Sequence, residues 1–225
     1  MHFIPQAVIF DMDGLLVDSE PLWADVELEI LNTYGREHRP EVQHSMIGRR
    51  LTEFWAHMKE AYELPEPSLA LMDRAVGRFI ERTPAEVKPK PGAPELLEHL
   101  DTIGTPCAIA SSSPLEVINA VVAALNWDHC FRVRVSGEEV PNGKPAPDIY
   151  LETARRLSVP PAACLALEDS PTGARAAVTA GMTCIAIPDR SHTHPSRFND
   201  ITPYVFESLH EVLALLRENE GHVSL

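Results

Sequence analysis

The chain lacks most of the features that would place it in a membrane or outside the cell. It has 4 cysteines among 225 residues, and Cys107, Cys130, Cys164 and Cys184 form no C-x-x-C pair. Three of them sit in apolar stretches (C-A-I-A, C-L-A-L and C-I-A-I), where cysteine serves as a small hydrophobe. Neither a disulfide framework nor a zinc site is expected. No apolar run approaches membrane-spanning length, and no N-terminal segment combines a basic stretch, an apolar run and a cleavage site. The cytoplasm is the expected location. Internal repeats and low-complexity tracts are also missing, and the 20 prolines fall at apparent element boundaries. Positive charge is scarce: 19 basic residues face 33 acidic ones, for a net charge of −14. Such a field repels nucleic-acid backbones and anionic membranes, so neither is an expected partner. It would repel a phosphorylated metabolite as well. A phosphate site here must therefore be made locally positive by Lys, Arg, backbone N–H groups or a bound cation.

What is present is an alternation of strands and helices. Residues 6–10 (Q-A-V-I-F) are short, apolar and β-branched and run directly into D-M-D-G, as a buried strand ending in a polar loop would. Similar strands are predicted at residues 106–110, 164–167 and 183–187, with a weaker one near 131–135. Between them, Leu96, Leu97, Leu100 and Ile103 share a helical face, and so do Leu115, Ile118, Val122 and Leu125. The second of these helices is predicted to open with Ser113 as N-cap, Pro114 in the first turn and Glu116 completing a capping box. Ser170 and Pro171 repeat the signal, with Gly181 as the stop, and Ser208 with Glu211 opens a last helix carrying Leu209, Val212, Leu213 and Leu216. The tail after Asn219 is expected to fray. This order implies an α/β fold, a Rossmann-like parallel sheet with helices on both faces.

One region breaks the alternation. From about Glu20 to Val87 the pattern is helical only: Leu22, Val26 and Ile30; then Leu51, Phe54, Trp55, Met58 and Tyr62; then Leu69, Met72, Val76, Phe79 and Ile80. The division expected is a catalytic core of residues 1–18 and 88–225 with an inserted all-helical cap of residues 19–87. The Pro-rich stretch from Pro84 to Pro94 reads as the return linker. The aromatic stripe reads as the small core of the cap.

In an open parallel sheet, ligands bind at the carboxyl ends of the strands. The residues following the predicted strands are Asp11 and Asp13; Ser111, Ser112 and Ser113; Gly143 and Lys144; and Glu168, Asp169 and Ser170. Taken singly, each is ordinary. Asp is common in strand-to-loop turns, and a lone Lys is usually solvated. Jointly they bring four carboxylates, a lysine and hydroxyls to one edge. Two unit charges at about 4 Å repel by roughly 4 kcal/mol at an effective dielectric near 20. A divalent cation relieves this, and Mg²⁺ suits oxygen ligands that also share substrate phosphate.

Read together, D-M-D-G-L-L-V-D-S-E-P-L-W, A-S-S-S-P-L, G-K-P-A-P-D-I-Y-L and A-L-E-D-S-P-T-G-A-R-A-A-V-T-A-G-M resemble the four signature motifs of the haloacid dehalogenase-like superfamily. The likeness spans Ala7 to about Pro188 and is to its Mg²⁺-dependent phosphatases with a helical cap. Within these, D-S-E-P-L-W and S-P-L are similar to phosphatases of hexitol phosphates and 2-deoxyglucose 6-phosphate. The resemblance implies Asp11 as nucleophile and Asp13 as general acid and base, protonated at the first step and basic at the second. It implies Mg²⁺ held by Asp11, the Asp13 carbonyl and Asp169, with Glu168 acting through a water. Ser111, Ser112 and Lys144 would hold the phosphoryl group, and Glu20, Trp23 and Arg49 of the cap would meet the rest of a small phosphorylated substrate. A monomer is the simpler expectation. Two enzyme alternatives share much of the pattern. A β-phosphoglucomutase-like mutase would carry a His where Trp23 stands, and a true dehalogenase would lack the second aspartate. A non-catalytic phosphometabolite-binding protein on the same scaffold is the alternative from another class.

Overall fold

A computed structural model describes residues 3–44, 46, 49–189 and 193–221. In chain order its elements are β1 (Ala7–Phe10), β2 (Val17–Asp18), α1 (Glu20–Thr33), α2 (Pro40–His44), α3 (Leu51–Tyr62), α4 (Ser68–Glu86), β3 (Lys88–Pro89), α5 (Ala93–Thr102), β4 (Cys107–Ser111), α6 (Leu115–Ala124), β5 (Val133–Ser136), α7 (Asp148–Leu157), β6 (Cys164–Glu168), α8 (Pro171–Thr179), β7 (Thr183–Ala186) and α9 (Leu209–Gly221). Five strands form one sheet in the order β5-β4-β1-β6-β7, and every pairing in it is parallel. No helix among the described residues is long and apolar enough to cross a membrane.

Alternation along β1 explains the layers. Val8 and Phe10 join the buried cluster on one face, and Ala7 and Ile9 join the cluster on the other, as successive side chains in a strand must. Both faces are covered, so β1, β4 and β6 are buried along their whole length. Small side chains on the second face (Ala166, Ala174, Ala176 and Ala177) bring α8 close to the sheet. The chain runs from β1 to one side for β4 and to the other for β6, which makes the end of β1 the topological switch point.

The helices α1 to α4 lie between β2 and β3, which pair antiparallel, Val17 with Pro89 and Asp18 with Lys88. Phe54, Trp55, Met58, Tyr62 and Phe79 are buried as expected. They do not form a separate core, however, but belong to the cluster that covers one sheet face. Met12, Leu15, Leu16 and Val17 carry that cluster from β1 toward the helices.

Several sequence expectations are corrected. Leu69 is 59% exposed, and Leu71 is buried in its place, so the inward face of α4 is set by Leu71, Ala75, Val76, Phe79 and Thr83. Ile103 is the C-cap of α5 and 42% exposed. Leu115 is also largely exposed, and Val117 and Val121 join Ile118 and Val122 inside. Pro84 lies inside α4 rather than beginning a linker. Ser113 does not cap α6, whose N-cap is Pro114 with no side-chain hydrogen bond. By contrast Ser170 does cap α8 by accepting from the Gly173 N–H, and Gly181 follows that helix with φ +84°. The last helix continues to Gly221, and the tail beyond lies outside the described residues.

Candidate active site

The carboxyl ends of β1, β4 and β6 meet at one point because their registers align. Phe10 pairs with Ile109 on one side and Leu167 on the other. The next residues along, Asp11, Ala110 and Glu168, therefore lie side by side. Lys144 comes from the loop before α7 and reaches into this edge. Its Nζ donates to Asp11 Oδ1 at 2.6 Å, to Glu168 Oε1 at 2.6 Å and to the Ala110 carbonyl at 3.0 Å. The lysine expected to be a surface residue when taken alone is 4% exposed. Burial works against its charge, but Asp11 and Glu168 outweigh that and hold the ammonium above its ordinary value.

Asp11, Glu168 and Asp169 each offer an oxygen within 4.8 Å of the others, and all three are buried. Burial is the main reason the Asp11 carboxyl is pushed up from 3.8 to about 7, with Lys144 opposing and Glu168 and Asp13 adding to the rise. Asp169 is also raised well above its ordinary value, first by burial and then by Asp11 and Glu168. Carboxylates that resist ionising together are what a cation would relieve. The donor set fits Mg²⁺: every ligand offered is a carboxylate oxygen, and hard cations prefer these. Gly14, at φ +82°, leaves room at Asp169, since a Cβ there would overlap Oδ2.

Asp13 is held differently. Its Oδ1 accepts from Ser19 Oγ at 2.6 Å, and its Oδ2 accepts from Ser113 Oγ at 2.8 Å and Ser111 Oγ at 3.2 Å. A hydroxyl can donate or accept, so the same three partners serve the carboxylate and the carboxylic acid. The main-chain N–H of Ser113 in turn donates to Ser111 Oγ at 3.1 Å.

These residues open on a cavity of about 510 Å³, lined also by Ser112, Glu20, Trp23 and Arg49. All the expected site residues except Glu168 line it. Glu168 is fully buried behind, where Tyr150 donates to its Oε1 at 2.6 Å and Ser170 Oγ to its Oε2 at 3.2 Å. Trp23 also stacks on Phe79 at 4.0 Å between ring centroids, and Arg49 pairs with Glu53 at 3.4 Å. No local sequence signal marks Tyr150, Ser19, Lys90, Asp189 or Glu27 as site residues, yet Lys90, Asp189 and Glu27 line the cavity, Tyr150 donates to Glu168 and Ser19 to Asp13. Lys90 Nζ meets Asp189 Oδ2 at 2.6 Å and Asp18 Oδ1 at 3.5 Å at the cavity wall. Lys90 sat in the stretch read as a linker, and nothing local marked it. Ser113 had a signal, but its cap pattern pointed elsewhere.

A profile of the haloacid dehalogenase-like hydrolases matches residues 5–181. Hexitol phosphatase B of Escherichia coli (strain K12) is 33% identical over 198 residues, covering 85% of this chain and 87% of that protein. The bifunctional riboflavin kinase/FMN phosphatase of Arabidopsis thaliana is 34% identical over 189 residues, 82% of this chain, which spans about half of that longer protein (49%). The crystal structure of CbbY from Rhodobacter sphaeroides in complex with phosphate superposes with a TM-score of 0.85 at 28% identity, covering 93% of this chain and 96% of that one.

Proposed function

The chain belongs to the haloacid dehalogenase-like hydrolase family, and within it we propose a Mg²⁺-dependent phosphatase, acting as a monomer on a small sugar or sugar-alcohol phosphate. The observation that carries this reading is the buried meeting of Asp11, Glu168 and Asp169, with Lys144 bonded to Asp11 and Glu168, at and behind the wall of the cavity. Asp11 attacks phosphorus in line and forms an aspartyl-phosphate as the bond to the alcohol oxygen breaks. Asp13 gives its proton to that leaving oxygen. It then takes a proton from the water that cleaves the aspartyl-phosphate, which restores Asp11 and releases phosphate. Lys144, Ser111 and the backbone at Ser112 hold the phosphoryl oxygens, since positioning and charge neutralisation are the main tasks in this transfer. Asp11, the Asp13 carbonyl and Asp169 would hold Mg²⁺, with Glu168 acting through a water. The ion would supply positive charge against the phosphoryl group and keep the acids ionised. Glu20, Trp23 and Arg49 read the rest of the substrate.

Trp23 favours hydrolysis over phosphosugar mutation. At the position where a mutase-like site would keep a titratable His, the cavity has an indole stacked on Phe79, which can neither give nor take a proton. The test is release of inorganic phosphate from sugar phosphates, sugar-alcohol phosphates, nucleotides and phosphoglycolate, with Mg²⁺ and with a chelator. Sugar or sugar-alcohol phosphates should give the highest kcat/KM, chelation should abolish turnover, and Asp11→Asn should be inert. Turnover by Asp11→Asn equal to that of the native chain would remove Asp11 from this role. Isomerised sugar phosphate in place of free phosphate would favour the mutase.

A further inference from the structure

The N-terminus of α3 meets the core at the loop that delivers Lys144. Arg50 occupies the N-cap position of this helix without a side-chain cap hydrogen bond, and its Nη2 donates to the Val140 carbonyl at 2.9 Å. Its stem lies against Gly143. A Cβ built on that glycine would come within 2.6 Å of Arg50 Nε, 3.2 Å of Cγ and 3.3 Å of Cδ. At Gly137 a Cβ would lie 3.6 Å from Arg50 Cγ and 3.2 Å from the Ser112 Cα. Among the described residues Arg50 Nε is buried with no hydrogen-bond partner, and the guanidinium is held there by fit and by the Val140 carbonyl. Two residues on, Thr52 supports the same contact, donating to Glu138 Oε1 from Oγ1 at 3.0 Å and from its N–H at 3.3 Å. The arginine thus rests on two glycines. One immediately precedes Lys144, and the other packs on Ser112.

We propose that Arg50 is a positioning residue. By docking the inserted helices onto the Gly137–Lys144 loop, it sets Lys144 between Asp11 and Glu168. This inference rests on the phosphatase reading of the site. Gly143 has no side chain because the arginine stem occupies that space, and the covering of the cavity and the placement of the lysine are one packing event. Arg50 does not line the cavity, so its effect reaches substrate only through the loop.

Arg50→Ala, Gly143→Ala and the double variant separate this role from substrate contact and from general damage. Each single change should lower kcat about tenfold or more, because 1 Å misplacements of catalytic groups cost about that much or more. The loss should be the same with p-nitrophenyl phosphate as with a sugar phosphate. Once Arg50 is removed, the added methyl at Gly143 should cost less than about threefold, because neighbours sharing one contact are non-additive. Full additivity, or a loss confined to the sugar phosphate, would overturn the proposal. Hydrogen exchange at the amides of residues 138–144 gives a readout independent of turnover. Arg50→Ala should speed it while exchange in β1 stays unchanged. Unchanged exchange in the loop overturns the docking role while leaving the phosphatase reading intact. An inert native chain overturns the phosphatase reading and with it the catalytic part of this one.

Discussion

At the scale of single residues, the site is a matter of which oxygens already have partners. Asp11 and Asp13 are two residues apart in sequence but are held by opposite means. Asp11 is paired with an ammonium, and Asp13 with three hydroxyls. That contrast suits the roles proposed for them, a nucleophile that must stay anionic and an acid that must change state. Asp13→Asn should therefore cost about 10²- to 10⁴-fold in kcat, the usual worth of a positioned acid or base, with little change in thermal stability. Activity within tenfold of native would place the acid elsewhere. Tyr150 makes a different case, since it touches no part of the cavity. Its phenol donates to the same Glu168 oxygen that accepts from Lys144. Removing a hydrogen bond to a buried charged group costs about 1.5–3 kcal/mol. Tyr150→Phe should lower unfolding free energy by that amount and reduce kcat more than it changes KM. Urea melts and steady-state kinetics on the one variant measure both, and unchanged stability would show that Glu168 Oε1 needs no donor besides Lys144. Tyr150 was invisible in the sequence because an aromatic on an amphipathic helix reads as core, and its hydroxyl only acquires meaning once β6 lies opposite.

At the scale of elements, the sequence revealed strands and helices well and their faces less well. The strand β1 was legible because four apolar residues ending in an acid have few other uses. The heptad-like spacing of α3 named its inward residues correctly. In α4 the apolar spacing pointed to Leu69 where Leu71 is the buried residue, because a leucine pattern alone does not tell which side of a helix another helix will cover. Ser113 and Pro114 looked like a cap, but α6 begins one residue later, at Leu115 with Pro114 in the N-cap position, and the Ser113 hydroxyl donates to Asp13 instead. Two glycines show how packing decides what periodicity cannot. Gly77 lies in the middle of α4, exposed, with open space where a Cβ would go. Gly77→Ala should stabilise the chain by about 0.5–1 kcal/mol, the helix-propensity difference between the two residues. Gly173 lies in the first turn of α8, where a Cβ would collide with the Glu168 carboxylate. Gly173→Ala should destabilise by about 1–3 kcal/mol through overpacking and depress kcat by displacing Glu168. Thermal melts of the two variants should shift in opposite directions, and an upward shift in both would mean that α8 has room to move.

At the scale of the whole molecule, the acidic bulk and the acidic site present one problem twice. A phosphate site in a chain of net charge −14 needs local positive charge, and the sequence pointed to Lys144 and a bound Mg²⁺ as its sources. It could not show that Lys144 would be buried between two acids. That depends on the register of β1, β4 and β6, which brings residues more than a hundred positions apart to one edge. Nor could it place Lys90, Asp189 and Asp18 together, since they sit on separate segments that meet only at the cavity wall. The cost of gathering acids is legible in pH. Burial raises Asp11 from 3.8 to about 7 and raises Asp169 well above its ordinary value. The folded, metal-free chain thus binds these protons more tightly than the unfolded chain does. Stability falls as pH rises wherever the native state binds more protons, so their contribution is fully present below about 4 and is lost as pH climbs through about 7. A cation among the acids removes the penalty by favouring their ionised forms. Mg²⁺ should therefore raise the melting temperature more at pH 8 than at pH 5, in addition to the mass-action stabilisation of any bound ligand. Taking the difference with and without Mg²⁺ at each pH cancels groups away from the site such as Glu152, which Arg155 and Arg156 hold down at about 2. Asp169→Asn removes one buried acid and one proposed ion ligand, and should flatten both the metal-free pH dependence and the Mg²⁺ shift. A Mg²⁺ shift that is equal at the two pH values, or that survives Asp169→Asn unchanged, would mean that the ion binds somewhere other than among Asp11, Glu168 and Asp169.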